Sequence, residues 1–413
     1  MAVFVVLWLR RPDCLLNAQF WAEDGTVFFQ QQIMRGLWQS WPQSYSGYIH
    51  TFPRLIVWLN TFVPVRWAPF GINATTLALE AVSCGAFFWP CYRKIIASDS
   101  LRAACCLSIS ATIIVGAELL GTVCNLQWYL CILSLLLIVA TTRDNATKWL
   151  EGLLTLLQVL IALTAPATLL YLPFLLWQLK TKPGWLKVRP AIHIAALLLQ
   201  GLVMHRYGDT KPILRFNTLF LATFISGITR CVLSPLLGNT FLTESSSISL
   251  FTKMLAALVI GLILATLLAL RFGLQPLAKW PWGAAYIAIG TLLAALAGRA
   301  YAKEFLHLDG IVFFTAERYF FVGASMFIFV VAFALESVCR RIHSQLATVL
   351  FVCMFAFGTV KNYESKPFAD FHWKDSAVKI DAWEKERRDH PPAPAISLPI
   401  NPPGWTISLG PNQ

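Results

Sequence analysis

The residues best suited to chemistry come early in the chain, where the segment NAQFWAEDGTVFFQQ carries two adjacent carboxylates, Glu23 and Asp24. Phe20 and Trp21 come directly before them. Aromatic neighbours beside a membrane remove water from a carboxyl group, which raises its pKa towards the range of a general base. The pair is therefore a candidate catalytic base. The alternative is a helix N-terminus, where acidic residues oppose the helix dipole and Asp24 could cap a helix beginning near Gly25.

A second polar cluster lies in the segment GAELLGTVCNLQWYL, between two apolar runs. Polar side chains are costly at a membrane boundary, so those of this segment are expected to bind sugar hydroxyls rather than lipid. The alternative is a tight turn between two spans. Together with aromatic and imidazole groups elsewhere, they form the predicted sugar- and acceptor-binding set: Trp21, Tyr48, His50, Glu118, Asn125, Gln127 and Trp128.

Cations outnumber carboxylates among the ionisable residues that are predicted to share the side of the acid pair. The candidates for holding a phosphate are Arg54, Arg318, Arg215 and Lys303. One or two carboxylates among several cations suit a phosphorylated substrate and a hydroxyl that must lose a proton. For Arg318, in the segment TAERYFF, the alternative is an anchor at a helix end. The carboxylates are too scattered to hold Mg²⁺ or Mn²⁺, so we expect neither a metal nor a cofactor.

The composition indicates an all-α polytopic membrane protein. Of the 413 residues, 57% are hydrophobic and 13% are charged, whereas soluble domains carry roughly 25% charged residues. The mean hydropathy is +0.62. The net charge of +12 is best explained by basic cytoplasmic loops that orient the helices, not by nucleic-acid binding. The ten cysteines form no CxxC pair, which argues against a disulfide framework or a zinc site.

Apolar runs and basic flanks predict about eleven transmembrane helices. The first, MAVFVVLWLRRP, is too short to cross a membrane without its flanking residues or residues upstream. The other predicted spans lie at about 71–92, 102–118, 124–141, 150–164, 166–179, 190–206, 250–271, 282–299, 319–337 and 344–360. A consistent orientation requires the run 217–237, which contains Arg230, to enter and leave on one side. We therefore predict a re-entrant or interfacial hairpin there.

Two extramembrane segments are expected on the outer side. Residues 10–69 are rich in tryptophan, tyrosine and proline, which predicts one or two interfacial helices in a first outer loop. Residues 361–413 form a polar tail with a predicted helix at 373–388 and a β-like stretch at 395–409. A tail of this size is marginal as an independent domain. We expect it to dock on the first outer loop and cover the site. Trp373, Trp383 and Trp405 would provide aromatic faces for that contact or for the acceptor sugar.

Several motifs together carry a resemblance to a known group of enzymes. The pattern FWAEDGTVFF, then SGYIHTFPRLI, then ELLGTVCNLQWYL, then ERYFF and a tail PINPPGW resembles bacterial glycosyltransferases of the GT-C type. It is similar in particular to the serotype-converting O-antigen glucosyltransferases of phage-derived Gtr clusters. The resemblance covers most of the chain, and it implies a GT-C-like transmembrane domain over residues 1–360 followed by a small periplasmic C-terminal appendage over 361–413.

The resemblance also implies an activity. An inverting hexosyltransferase would move a sugar, glucose in the first instance, from undecaprenyl phosphate to an O-antigen repeat of lipopolysaccharide, which converts the serotype. The catalytic acid of the first loop would correspond to Asp24 or to Glu23. The enzyme would lie in the bacterial inner membrane with its site facing the periplasm. Its partners would be the lipid donor, the O-antigen acceptor, a companion flippase and a glycosyltransferase that makes the donor.

Two other functions are compatible with these residues. A lipid-linked O-antigen polymerase or ligase would share the site and the lipid phosphate but would join larger units. A transporter of lipid-linked sugars would place ionisable residues near mid-membrane, often in two related halves. Here most ionisable residues are predicted at outer helix ends and the chain shows no repeat, so glycosyl transfer is the preferred interpretation.

Overall fold

The computed structural model describes residues 1–113, 118–140, 147–208, 227–238, 261, 283, 286–291, 317–339 and 344–410. Within these ranges the chain is predominantly helical and carries a two-stranded sheet near the C-terminus. Four helical segments are long and apolar enough to cross a membrane: Val65–Lys94, Gly184–Tyr207, Glu317–Cys339 and Gln345–Asn362. The described chain is therefore helical with four candidate membrane spans, and the total of about eleven stays a prediction.

The first sixty residues form a series of short helices. They are α1 (Ala2–Arg10), α2 (Asp13–Leu16), a π-helical turn (Asp24–Phe29), α3 (Gln30–Ser40) and α4 (Thr51–Asn60). Helix α3 is kinked at Gly36, where φ is 71°, a conformation that glycine adopts without steric cost. Trp38, Leu59 and Phe62 are exposed on this segment. Helices α3 and α4 agree with the predicted pair, and their seat at a membrane surface stays a prediction.

The remaining helices up to the tail follow the apolar runs. They are α5 (Ala68–Gly85), α6 (Asp99–Ala111), α7 (Leu126–Val139), α8 (Lys148–Ala162), α9 (Leu172–Thr181), α10 (Val188–Tyr207), α11 (Ser234–Leu237), α12 (Phe321–Cys339) and α13 (Ser344–Asn362). Short 3₁₀ turns lie at Val65–Trp67, Ala86–Phe88, Pro90–Lys94, Pro166–Tyr171, Gly184–Lys187 and Glu317–Phe320, and a π-helical turn at Gly227–Leu233. Local capping sets some starts: Ser98 Oγ accepts the Leu101 N–H at 3.2 Å before α6.

Several predicted spans correspond to helices shorter than a bilayer crossing. Helix α1 has 9 residues, α7 has 14 and α8 has 15, against about 20 for a straight span. The predicted spans at 250–271 and 282–299 lie largely outside the described residues. Of the run 217–237 the structure describes the second half, the turn before α11 and α11 itself, in which Arg230 is buried. The re-entrant hairpin stays a prediction.

Helix ends gather at two ends of the bundle. At one end, Arg10 donates hydrogen bonds to the backbone oxygens of Ser110 and Asn362 at 2.6 and 2.8 Å, which joins the C-terminal ends of α1, α6 and α13. At the other end, Glu336 in α12 accepts the Ala97 N–H at 3.1 Å ahead of α6. We refer to these as the Arg10 end and the Glu336 end. The predicted orientation places the Arg10 end on the outer side.

Helix α7 is the centre of the core. Every residue from Leu126 to Ile138 is buried, and α5, α8 and α12 pack around it. Two buried tyrosines fasten neighbouring elements to its backbone: Tyr171 Oη donates to the Cys131 oxygen at 2.9 Å and Tyr92 Oη to the Leu136 oxygen at 2.7 Å. The loop that enters α7, residues 118–125, is thereby held at the Arg10 end.

The tail folds as a helix and a hairpin: α14 (Trp373–Asp389), β1 (Ile396–Ile400) and β2 (Trp405–Leu409). The strands are antiparallel, with Ile396 opposite Leu409 and Ile400 opposite Trp405. Alternate residues of both strands are buried on one face, as the period of a strand requires. The predicted helix and β-like stretch agree with these elements.

The hairpin of the tail packs on the π-helical turn that follows the acid pair. A Cβ at Gly25 would lie 2.6 Å from Ile400 Cδ1 and 3.1 Å from Ile407 Cγ1, so a larger residue here would push these two side chains away. The Ser408 N–H donates to Gln30 Oε1 at 2.9 Å. The tail therefore contacts the first loop, as the sequence predicts.

The three tail tryptophans that were expected to make this contact have different positions. Trp373 packs edge-on against Phe20 with ring centroids 4.7 Å apart, and its Nε1 donates to the Val65 oxygen at 3.0 Å. Trp383 is buried within the tail and donates to the Pro394 oxygen. Trp405 is 38% exposed. Trp373 is therefore a docking residue, and the role of Trp383 and Trp405 towards an acceptor sugar stays a prediction.

Candidate functional site

Asp24 is buried against the loop that enters α7. Its Oδ2 accepts the Val123 N–H and its Oδ1 accepts the Cys124 N–H, both at 2.9 Å. It is 1% exposed, and burial raises its pKa to about 7, although the two N–H bonds oppose the rise. Asp24 begins the π-helical turn, but its side chain makes no capping bond there. Asp24 therefore lies at a helix N-terminus, as the alternative interpretation expected, but does not form the capping bond.

Glu23 is placed differently from its neighbour. It is half-buried, and its Oε1 accepts a hydrogen bond from Tyr45 Oη at 3.2 Å. Burial is the main cause that raises the pKa of Tyr45, so this phenol stays a proton donor to Glu23. Of the two carboxylates, Glu23 is the one that a hydroxyl from outside the protein can approach.

Tyr45 and Tyr48 flank a tight turn. The N–H of each donates to the oxygen of the other, at 3.0 and 3.2 Å. Ser46 and Gly47 between them have φ of 50° and 85°, as in the two-residue hairpin turns that need left-handed central residues. The turn directs Tyr45 to Glu23, and Tyr48 Oη lies 2.9 Å from Gln127 Nε2 at the start of α7.

His50 lies within the same aromatic group. Its ring stacks on Tyr48 with centroids 4.1 Å apart, and its Nδ1 lies 3.1 Å from the Tyr48 oxygen. Burial lowers the pKa of His50 to about 3, with Arg54 adding to the effect. The imidazole is therefore neutral, and because a carbonyl oxygen can only accept, Nδ1 carries the proton. Nε2 has no hydrogen-bond partner within the described chain.

The loop 118–125, which contains most of the second polar cluster, lies against Asp24. Asn125 Nδ2 donates to the Glu118 backbone oxygen at 2.7 Å. Trp128 packs edge-on against Tyr319 at 5.3 Å and is 8% exposed. This loop is the tight turn of the alternative interpretation, and at the same time it meets the acid pair.

Arg318 forms an ion pair with Glu118, and its guanidinium lies 5.1 Å from the centre of the Tyr319 ring. The two side chains are 24% and 19% exposed. Arg318 therefore pairs with a residue of the same loop whose Val123 and Cys124 N–H groups bind Asp24.

The guanidinium of Arg54 forms hydrogen bonds with other groups of the protein. Its Nη1 donates to Gln31 Oε1 and its Nη2 to the Gln43 backbone oxygen, both at 2.9 Å. It is 2% exposed and lies over the Phe28 ring at 5.5 Å. In this arrangement Arg54 holds α3 and the following turn together rather than facing a ligand. The other two predicted phosphate-binding cations, Arg215 and Lys303, lie outside the described residues.

Trp21 faces the tail. Its ring stacks on Phe368 with centroids 4.9 Å apart, and its backbone pairs with Asn401 next to the hairpin. The ring face that was expected to bind a sugar is covered by Phe368. In this structure Trp21 is a docking residue for the tail.

Glu80 belongs to the site although the sequence analysis did not select it. It is fully buried in α5, and its Oε1 and Oε2 lie 3.0 and 3.2 Å from the Gly121 nitrogen. Gly121 has φ of 67°, and a Cβ there would lie 3.3 Å from Arg11 Nη2. An acidic residue inside an apolar run was the available signal, because such residues are costly in a membrane.

Two buried carboxylates thus hold the loop 118–125 from opposite elements. Glu80 takes the N–H of Gly121, and Asp24 takes those of Val123 and Cys124. Groups of three or more metal-ligating side chains do not occur among the residues that the structure describes. The groups of this arrangement that could take part in chemistry are the carboxylates Glu23 and Asp24, which could accept a proton, and the guanidinium of Arg318, which could bind an anion.

Comparison with known proteins found no match among family models, curated proteins or solved structures. The relationship to GT-C glycosyltransferases therefore rests on the sequence motifs and stays a prediction. The structure and the composition together give a mostly helical chain with four candidate membrane spans, whose Arg10 end gathers carboxylates, an arginine and aromatic side chains around one loop.

Proposed function

We propose that the protein is a GT-C-like glycosyltransferase of the bacterial inner membrane. It transfers a sugar, glucose in the first instance, from undecaprenyl phosphate to an O-antigen repeat on the periplasmic side and so converts the serotype. The observation that carries the proposal is that the loop 118–125 binds Asp24 of the acid pair through two N–H groups and Arg318 through Glu118. Sugar transfer from a lipid phosphate needs a general base for the acceptor hydroxyl and a cationic group that binds the phosphate.

The two carboxylates of the acid pair have different roles, because they differ in how far they are buried. Glu23, half-buried and bonded to Tyr45, is the general base. It takes the proton of the acceptor hydroxyl while the hydroxyl oxygen forms a bond to the anomeric carbon. Asp24, whose two oxygens accept backbone N–H groups, holds the loop. This assignment refines the sequence interpretation, which left the base open between the two residues.

The leaving group requires a cation. As the bond between the anomeric carbon and the phosphate oxygen breaks, undecaprenyl phosphate departs with the electron pair. Arg318 holds this anion, since a guanidinium matches phosphate geometry. Glu118 occupies Arg318 before the donor binds and gives way to the phosphate. Tyr48, His50 and Gln127 are placed to contact the sugar or the acceptor.

The test uses the full chain in vesicles, with radiolabelled undecaprenyl-phosphate glucose as donor and lipid-linked O-antigen repeat as acceptor. The wild-type protein should add one labelled glucose, and the matched control Asp381→Asn, an exposed tail residue, should equal it. Glu23→Gln should lose at least about 99% of the rate, because a general base contributes roughly 10²–10⁴-fold. No transfer by the folded wild-type protein would reject the proposal. A product that grows by whole repeats would indicate the polymerase or ligase instead.

A further inference from the structure

Four side chains between α8 and α10 carry buried polar atoms without partners. Glu151 and Gln158 lie on α8, and Arg189 and His193 on α10, each at most 5% exposed. Glu151 and Arg189 form an ion pair at 3.4 Å. The atoms without a hydrogen-bond partner in the described chain are Glu151 Oε1, Gln158 Nε2 and Oε1, Arg189 Nη1 and Nη2, and His193 Nδ1 and Nε2.

These residues share one interface. On α8 the two are seven residues apart, and on α10 they are four apart, so each pair faces one side of its helix. The helices pack against each other, and α10 belongs to the candidate span Gly184–Tyr207. A polar face of this kind inside a membrane-spanning region is a candidate functional site.

The register brings the unpartnered groups to neighbouring levels. Helices α8 and α10 run in the same direction, because Glu151 pairs with Arg189 near their starts. Near their ends, Leu163 and Gln200 both bind the segment 49–51. Because Glu151 of α8 lies beside Arg189 of α10, a residue of α8 lies at about the height of the α10 residue numbered 38 higher (189 − 151). Gln158 is therefore at the height of position 196 of α10. His193 is three residues from that level, about 4.5 Å along the axis, which is within one turn.

We propose that α8 and α10 enclose a hydrated polar site in which water molecules complete these hydrogen bonds. Glu151 and Arg189 pair their opposite charges with each other, so the atoms that remain require a neutral partner. The unpartnered atoms include both donors and acceptors, which water matches. A buried water makes about three hydrogen bonds, so roughly two or three waters serve these atoms.

Water enters from the Glu336 end. Lys182, just before α10, is half-buried and precedes Arg189 by seven residues. It also lines a mostly apolar cavity of about 680 Å³ that includes Ile95 and Ile96, directly before the Ala97 contact of that end. The hydrated site therefore lies on the opposite side of the bundle from the Arg10 end and is independent of the proposed function.

Hydroxyl-radical footprinting of the full chain in nanodiscs, with a radiolysis pulse in ¹⁸O-labelled water, tests this site. Radicals formed from bound water oxidise the side chains beside it. After correction for intrinsic reactivity, His193 should be oxidised at least fivefold faster than Tyr171. Tyr171 is equally buried, but its Oη is bonded to the Cys131 oxygen. Equal, slow oxidation of both residues would show a dry interface and overturn the proposal.

A pair of variants tests whether the water belongs to this cluster. Gln158→Leu removes two of the unpartnered atoms and should lower His193 oxidation at least threefold. The matched control is Gln19→Leu, a buried glutamine outside the lining of that cavity, whose amide already donates to Asn17 Oδ1 and Asp370 Oδ1; it should leave His193 oxidation within twofold of wild type. An equal effect of both substitutions would contradict the assignment. If Gln158→Leu does not fold, the wild-type footprint alone decides.

Discussion

At the scale of single residues, Glu23 and Asp24 are neighbours with different surroundings. Both carboxylate oxygens of Asp24 accept backbone N–H groups, those of Val123 and Cys124. The carboxylate of Glu23 is half-buried and accepts a hydrogen bond from Tyr45. A carboxylate that is fully engaged in holding a loop is poorly placed to accept a proton from a substrate. The proposed roles, Glu23 as base and Asp24 as the residue that holds the loop, rest on this difference.

The difference predicts distinct consequences for two conservative substitutions. Glu23→Gln should lower sugar transfer by roughly 10²–10⁴-fold while the thermal unfolding temperature stays at the wild-type value. Asp24→Asn should destabilise the protein by about 1–3 kcal/mol as well, since one of the two N–H groups loses its acceptor. Transfer rates and unfolding curves of both variants, measured together, test this. A stable Asp24→Asn protein with an inactive site, beside an active Glu23→Gln protein, would reverse the assignment.

The pKa of Asp24 predicts a pH dependence of stability. Burial raises this pKa from 3.8 to about 7, so between these values the folded protein binds a proton that the unfolded chain releases. The stabilisation is complete below pH 3.8 and is lost as the pH rises to 7. At 1.36 kcal/mol per pKa unit it amounts to about 4 kcal/mol.

The measurement is thermal unfolding in nanodiscs at several pH values from 4 to 8. His50, whose lowered pKa adds stability as the pH rises towards 6.5, opposes this loss, so the contribution of Asp24 is isolated by difference. Asp381→Asn should follow the wild-type profile, whereas the stability of the wild-type protein relative to Asp24→Asn should fall as the pH rises from 4 to 8. Identical slopes for all three proteins would contradict the pKa of Asp24.

At the scale of elements, the loop 118–125 is held from two sides, by Asp24 ahead of α3 and by Glu80 in α5. Glu80→Leu leaves the buried Gly121 N–H without its acceptor and should cost about 1–3 kcal/mol. Because the loop carries the site, transfer should fall at least tenfold. Glu336→Leu is the matched control, since Glu336 accepts a backbone N–H at the opposite end. It should cost similar stability and leave the rate unchanged; an equal loss of rate would contradict a local role for Glu80.

The contact between the tail hairpin and the first loop depends on Gly25. A leucine at this position collides with Ile400 and Ile407, so Gly25→Leu should release the hairpin and expose it to limited proteolysis. Gly152→Leu is the control, because nothing lies within 4 Å of a Cβ there. If the tail of Gly25→Leu resists protease as well as that of the control, the contact does not hold the tail.

At the scale of the whole molecule, the sequence predicts local elements better than long-range contacts. Hydropathy found helices at α5, α10, α12 and α13, and composition separated the tail with its helix and hairpin. The acid pair was found because carboxylates are rare in such a chain. Glu80 was missed, since nothing local in α5 indicates a partner 41 residues away.

The position of side chains within the site also lay beyond the sequence. Arg54 and Trp21 have the right types for binding phosphate and sugar, yet packing turns Arg54 to Gln31 and Gln43 and covers Trp21 with Phe368. Residue type limits what a side chain can bind, whereas the fold decides whether it is free to do so. Tyr45 illustrates the converse, because the turn at Ser46–Gly47 directs it to Glu23.

The central claim is that the protein transfers a sugar to an O-antigen with Glu23 of the acid pair as the base. This claim is tested most directly in cells. Lipopolysaccharide is isolated from a strain that makes undecaprenyl-phosphate glucose, with the wild-type gene, with Glu23→Gln, and without the gene. Mass spectrometry of the O-antigen repeat should show one additional hexose with the wild-type gene alone. A repeat of identical mass in all three strains, or an equal hexose addition by Glu23→Gln at matched membrane levels, would contradict the account.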